Sequence, residues 1–158
     1  MNLYQRLATL IPFLLLACAN LAQATEDLEI HDAWAREAPP GAAVMAGYLT
    51  LHNHSSETYT LTNLQSPQFE KVEIHRTEER DGMTQMIKVS QVILGPKDSV
   101  RFQPGGMHLM LMKPKKPLKA GAKISLTLSF SGETSMQVTL PVKKAEASIH
   151  HDMQTHMH

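Results

Sequence analysis

The middle of this chain is a succession of short segments in which apolar and polar residues alternate, with turn residues between them. The pattern is clearest in 123–130, where every second residue from Ile124 to Phe130 is apolar. Successive side chains of a β-strand point to opposite faces, so this period of two predicts strands with one buried face. No long apolar period of 3.6 residues competes with it. The sequence therefore predicts an all-β sandwich or barrel.

Glycine, proline and aspartate mark the ends of the predicted strands. The Asp81-Gly82 pair predicts a tight hairpin turn between two of them, and a single helical turn is expected at 67–71. Strands are predicted at 44–53, 58–64, 71–76, 83–89, 99–102, 107–112, 123–130 and 136–142.

The N-terminal segment predicts export. Arg6 precedes an apolar run over residues 7–17, and an Ala-Gln-Ala cleavage pattern ends at Ala24. The apolar run is shorter than the roughly 20 residues that a membrane-spanning helix needs. We therefore expect residues 1–24 to be a signal peptide, and the mature protein to be periplasmic and to have no membrane span. Cys18 follows Leu-Leu-Ala, which offers lipidation at Cys18 as an alternative.

Cysteine content and charge exclude several classes of function. Cys18 is the single cysteine, so cleavage after Ala24 leaves no disulfide, no thiolate ligand and no thiol nucleophile. The 15 Lys and Arg residues balance the 15 Asp and Glu residues, which gives no electrostatic attraction to nucleic acid. No nucleophile elbow or motif of paired carboxylates indicates a hydrolase. We predict a monomeric binding protein that is not an enzyme.

Histidine and methionine occupy unusual positions in the predicted strands. His108 and Met110 project from one face of their strand, whereas Leu109 between them points toward the core. His75 lies opposite the apolar residues of its own strand, and Met86 lies on the more polar face of the strand after the hairpin. Four metal donors thus fall on faces that are not packed into the core.

The donor types indicate which metal such a site would prefer. Two imidazoles and two thioethers suit Cu(I) better than Zn(II), Mg(II) or Ca(II). A thioether has no proton to lose and forms no disulfide, so it suits an oxidising compartment. Each methionine alone could equally be core filler, and each histidine alone could be an ordinary surface residue. The spacing of the four residues decides between these interpretations.

The spacing His-x10-Met-x21-His-x-Met resembles the motif of the PCuAC family of periplasmic copper chaperones. Flanking blocks are similar as well, including Ala-Trp-Ala-Arg at 33–36 and Pro-Gly-Gly-Met at 104–107, and the resemblance covers about residues 28–142. It implies a cupredoxin-like Greek-key β-sandwich and the supply of copper to cytochrome c oxidase subunit II, alongside Sco-like assembly proteins. It also implies a Cu(I) site formed by His75, Met86, His108 and Met110.

The C-terminal residues 143–158 show neither strand nor helix periodicity, and we expect a flexible tail after a domain of residues 25–142. Six of the last nine residues are His or Met, a composition typical of metal binding. With imidazoles and a carboxylate this set is harder, so it would suit Cu(II) or a second copper ion. The expected tail ligands are His150, His151, Asp152, Met153, His156, Met157 and His158.

Other copper functions fit the sequence less well. A blue-copper electron carrier needs a Cys thiolate, and a copper oxygenase with a histidine brace needs histidine at the mature N-terminus, where Thr25 is predicted. The remaining alternative is a periplasmic buffering or resistance protein that stores copper without delivering it. His31, His52 and His54 are expected to be ordinary surface residues.

Overall fold

The computed structural model describes residues 27–144, so the predictions for residues 1–24 and for the C-terminal ligands lie outside the described residues. Within 27–144 there is no helix, and hence none that could cross a membrane. The strands are β1 (Leu28–Arg36), β2 (Val44–Asn53), β3 (Tyr59–Gln65), β4 (Phe69–Arg80), β5 (Met83–Val89), β6 (Val92–Leu94), β7 (Ser99–Phe102), β8 (Met107–Pro114), β9 (Lys123–Phe130) and β10 (Ser135–Lys143).

Most of the predicted strands are confirmed, and the differences have physical causes. The helical turn expected at 67–71 is wrong, because Phe69 is buried in the core and begins β4 by pairing with Pro114 of β8. β4 also extends to Arg80, since the hairpin with β5 continues its pairing beyond β8. β6 was not predicted because three residues are too short to show a period.

The strands form one open path in the order β5-β4-β8-β2-β1-β10-β9-β3-β6, and β7 pairs with β2 beside it. The two halves of this path are joined by a parallel pairing of β1 with β10. Side chains from both halves form a single core. A Cβ atom on Gly47 of β2 would lie 3.2 Å from Cδ2 of Leu140 in β10, so these strands approach too closely for a larger residue at position 47. The all-β sandwich is confirmed.

β8 separates the core from the opposite face of its sheet. Leu109 and Leu111 are fully buried in the core. His108, Met110 and Met112 alternate with them and therefore project from the other face, as period-two geometry requires. β8 lies between β4 and β2, so this outer face continues onto both neighbouring strands. The predicted metal ligands of β8 are thus held by a strand that is anchored in the core.

Candidate metal site

Three neighbouring strands place the four predicted ligands on one face. β4 lies between β5 and β8, and His75 of β4 pairs directly with His108 of β8. Directly paired residues project from the same face of a sheet. Their ring centroids are 6.3 Å apart, with an angle of 37° between the ring planes. The two imidazoles therefore face each other across one pair of strands.

The two methionines flank this pair of histidines. Met110 pairs with Glu73, two residues before His75, and Met86 pairs with Thr77, two residues after it. Each methionine is therefore at a diagonal position to His75. Diagonal neighbours have Cβ atoms about 7–8 Å apart, which long side chains can span. The register brings the other three predicted residues around His75, and the binding of a metal by the four remains a prediction.

Hydrogen bonds assign a role to each ring nitrogen. His75 donates from Nε2 to the Glu73 carboxylate at 2.9 Å, and His108 donates from Nδ1 to the carbonyl oxygen of Gly106 at 3.0 Å. These bonds leave Nδ1 of His75 and Nε2 of His108 with their lone pairs. Histidines that bind metals almost always donate their second N–H to a carboxylate or a backbone carbonyl. Both imidazoles therefore have the environment of metal ligands.

Nδ1 of His75 is a buried polar atom without a hydrogen-bond partner. Buried side-chain nitrogens are nearly always paired, so an unpaired one calls for an explanation. A metal ion bound to this lone pair would satisfy it. The donor set suits Cu(I), because two thioethers accompany the two imidazoles. Among residues 27–144, no three His, Cys, Asp or Glu side chains already converge as a metal centre, so this site depends on its methionines.

The site combines one buried and one half-buried imidazole with an exposed thioether. His108 is 7% exposed although it lies on the outer face, whereas Met86 is 62% exposed. Met86 belongs to β5, which is the last strand at its end of the sheet. The site is therefore rigid on the β8 side and open on the β5 side, where a copper ion would enter or leave.

Glu73 is a supporting residue that the sequence analysis did not single out. Its side chain is only 9% exposed, and it accepts hydrogen bonds from His75, from Lys71 at 2.6 Å and from Lys88 at 2.7 Å. The hydrogen bonds from Lys71, Lys88 and His75, in that order, lower the pKa of Glu73 to about 2. The sequence does contain a feature that indicates this role, because Glu73 lies two residues from His75 on the same face of the strand. The two lysines come from β4 itself and from β5.

The metal-free protein is expected to lose stability in acid through Glu73. Its folded-state pKa is below its unfolded value, so its contribution is present above about pH 5 and is lost as the pH falls toward 2. Because Lys71 and Lys88 are solvent-exposed, we expect about 1–2 kcal/mol rather than the full shift. Urea unfolding at pH values from about 6 down to about 3 should show the free energy of unfolding falling with pH. Glu73→Gln should flatten this slope, and an unchanged slope in the variant would contradict this role.

Three further methionines lie near the site in the sequence. Met107 is half-buried and packs against the core. Met112 shares the outer face but pairs with Lys71 and Val44, two residues beyond Met110 and farther from His75. Met83 is exposed on the opposite face of the β4–β5 hairpin, because it is three residues from Met86.

Comparison with known proteins identifies the family of this chain. Residues 28–142 match the family described as LpqE-like. The chain belongs to the LpqE-like family. A relative from Leifsonia xyli subsp. xyli, Lxx21020, is named as a candidate lipoprotein and is 32% identical over 119 residues, which is 75% of this chain and 70% of the relative. Protein RP573 of Rickettsia prowazekii is 35% identical over 98 residues, covering 61% of this chain and 54% of that protein.

Solved structures similar to this LpqE-like chain are PCuAC domains and a related copper protein. The solution structure of Cu(I)-DR1885 from Deinococcus radiodurans is 29% identical and has a TM-score of 0.61, with 77% of this chain and 81% of that chain covered. The copper-bound PCuAC domain from PmoF2 has a TM-score of 0.64, with 75% and 94% covered. At 21% identity the PmoF2 domain supports the fold alone. The cupredoxin-like fold expected of the chain is thereby confirmed.

Proposed function

We propose that this protein is a periplasmic metallochaperone that binds one Cu(I) ion between His75, Met86, His108 and Met110. The observation that carries the proposal is the facing pair of histidines, each with one ring nitrogen hydrogen-bonded and the other free. The two methionines on either side supply soft sulfur donors. The Cu(I)-bound form of DR1885, a protein with this fold, supports copper as the cargo.

The hydrogen-bonded tautomers favour direct binding of the cation. In the neutral imidazole one nitrogen carries the proton and the other accepts, and here the protonated nitrogens already face Glu73 and Gly106. Cu(I) can therefore bind His75 and His108 without displacing a proton. The thioethers have no proton to lose either.

The exposed position of Met86 supports delivery rather than permanent storage. An acceptor could replace the Met86 thioether from the β5 side while His75, His108 and Met110 still hold the ion. Such stepwise exchange would transfer copper without releasing it into water. We propose cytochrome c oxidase subunit II, or a Sco-like assembly protein, as the acceptor. Export through cleavage after Ala24 or lipidation at Cys18 would bring the protein to the required compartment, and the naming of a relative as a candidate lipoprotein supports export.

Transfer to an acceptor separates delivery from storage. Cu(I)-loaded protein mixed anaerobically with the copper-free soluble domain of subunit II should lose its copper to that domain, measured in the two proteins after separation. A Cu(I)–chelator complex that buffers the same free Cu(I) concentration serves as the control. Faster transfer from the protein than from the chelator would support a chaperone. Equal rates would contradict delivery and favour the buffering function.

We also propose that the C-terminal donors bind additional copper. His150, His151, His156 and His158 supply four imidazoles, which suit Cu(II) as well as a second Cu(I). The variant H150Q/H151Q/H156Q/H158Q should bind less copper in total, while the affinity for the first Cu(I) stays within about twofold. Equilibrium dialysis measures the total, and a competition titration measures the first affinity. An unchanged total would contradict the proposal.

A further inference from the structure

A second group of metal donors lies on the outer face of β1 and β2. Glu29 of β1 pairs directly with His52 of β2. His31 lies two residues along β1 from Glu29, and His54 follows two residues after His52. Because the strands are antiparallel, the two outer histidines flank the central pair on opposite sides. The site around His75 has the same plan, with one direct pair and two diagonal donors.

Contacts already draw these side chains together. Nε2 of His31 donates to Oε1 of Glu29 at 3.0 Å, and Nε2 of His54 donates to Oε2 of the same carboxylate at 2.9 Å. The rings of His31 and His52 are 5.0 Å apart at their centroids, and those of His52 and His54 are 6.0 Å apart. Both outer histidines are thus aimed at one carboxylate, beside a third imidazole.

The central histidine is held in the manner of a metal ligand. Nδ1 of His52 is hydrogen-bonded to Oγ of Ser99 in β7 at 2.7 Å, which leaves Nε2 as the ring nitrogen available to bind a metal. The ammonium group of Lys97 donates to the backbone carbonyl oxygen of His54.

We propose that Glu29, His31, His52 and His54 form a second metal site, for a divalent transition-metal cation with Cu(II) bound most tightly. Three imidazoles and a carboxylate form a borderline-to-hard donor set, and the Irving–Williams order places Cu(II) above Ni(II) and Zn(II). The set contains no thioether, so it does not favour Cu(I). The four donors do not yet close on a single point. His31 and His54 are exposed, so their rings can turn away from their hydrogen bonds to Glu29. Each ring can then keep its proton on Nε2 and offer the lone pair of Nδ1 to an ion that is bound by Glu29.

The second site is separate from the first. Met110 pairs with Ala46 and Glu29 pairs with His52, and both Ala46 and His52 belong to β2. Ala46 and His52 are six residues apart along β2, which corresponds to about 20 Å. Occupancy of one site therefore does not require ligands of the other, and the two sites would hold different oxidation states of copper. This inference does not rest on the chaperone function.

Paramagnetic broadening locates the cation directly. CuCl₂ is added to the full-length ¹⁵N-labelled protein that carries H150Q/H151Q/H156Q/H158Q, so that the C-terminal histidines do not compete. We expect the amide signals around Glu29, His31, His52 and His54 to broaden. Broadening confined to signals near His75 and His108, with the β1–β2 region still sharp at excess Cu(II), would overturn the proposal.

Variants in the same background provide the second measurement. H31Q/H52Q/H54Q should remove one bound Cu(II) and leave Cu(I) affinity within about twofold, whereas H75Q/H108Q should do the reverse. Because the triple variant changes three residues, E29Q alone serves as a milder test and should weaken Cu(II) at this site by about tenfold or more. Unchanged Cu(II) binding in both folded variants would overturn the proposal and leave His31 and His54 only as hydrogen-bonding partners of Glu29.

Discussion

Replacing Leu109 with alanine is expected to lower the free energy of unfolding by about 2–5 kcal/mol. Leu109 is 0% exposed, and its strand β8 lies between β2 and β4. It pairs with Gly47 and Ile74. Gly47 has no side chain that could move into the space that the Leu109 side chain occupies. Truncation would therefore leave a cavity that the surrounding strands cannot fill. Urea unfolding of the metal-free protein measures the loss.

Met110→Ala is the matched control, because it changes the next residue of the same strand. Met110 projects from the outer face and is only partly buried, so we expect a loss of about 1 kcal/mol or less. The two variants should separate in function as well, since Met110→Ala removes a proposed copper ligand and Leu109→Ala does not. Equal destabilisation by both variants would contradict the division of β8 into a core face and a site face.

Local sequence patterns were sufficient to predict much of the site. The alternation in β8 placed His108 and Met110 opposite Leu109, and the structure has the same arrangement. The Asp81-Gly82 turn was also recognisable, and both residues adopt positive φ angles of 53° and 73°. These features depend only on neighbours along the chain, so the sequence contains them. The motif spacing added His75 and Met86 through family resemblance, which physical reasoning on the residues alone did not achieve.

Features that depend on the pairing of distant strands were not predictable. The contact of Glu73 with Lys88 requires the register of β4 against β5, and the proximity of Glu29 to His52 requires the register of β1 against β2. His31, His52 and His54 were expected to be ordinary surface residues. In the structure His31 and His54 donate to one carboxylate, that of Glu29, and the ring of His52 lies beside both of them. A one-residue change of register would have moved these side chains to opposite faces.

The face on which a methionine lies, rather than its exposure, should decide whether it binds copper. Met86 and Met83 belong to the same strand and are 62% and 61% exposed. Met86 pairs with Thr77 on the face of His75, whereas Met83 pairs with Arg80 and points to the other face. Met86→Ala should weaken the first Cu(I) by about tenfold or more, which corresponds to about 1.4 kcal/mol. Met83→Ala should leave it within about twofold.

An anaerobic competition titration against a Cu(I)-specific chelator tests this difference most directly. It compares the wild-type residue, Met86→Ala and Met83→Ala in full-length protein carrying H150Q/H151Q/H156Q/H158Q, so that the first Cu(I) is not taken by the C-terminal histidines. Circular dichroism confirms that each variant is folded. A weakening confined to Met86→Ala is the result that a site around His75 and His108 predicts. Equal affinities in all three proteins, or equal weakening by both substitutions, would contradict it.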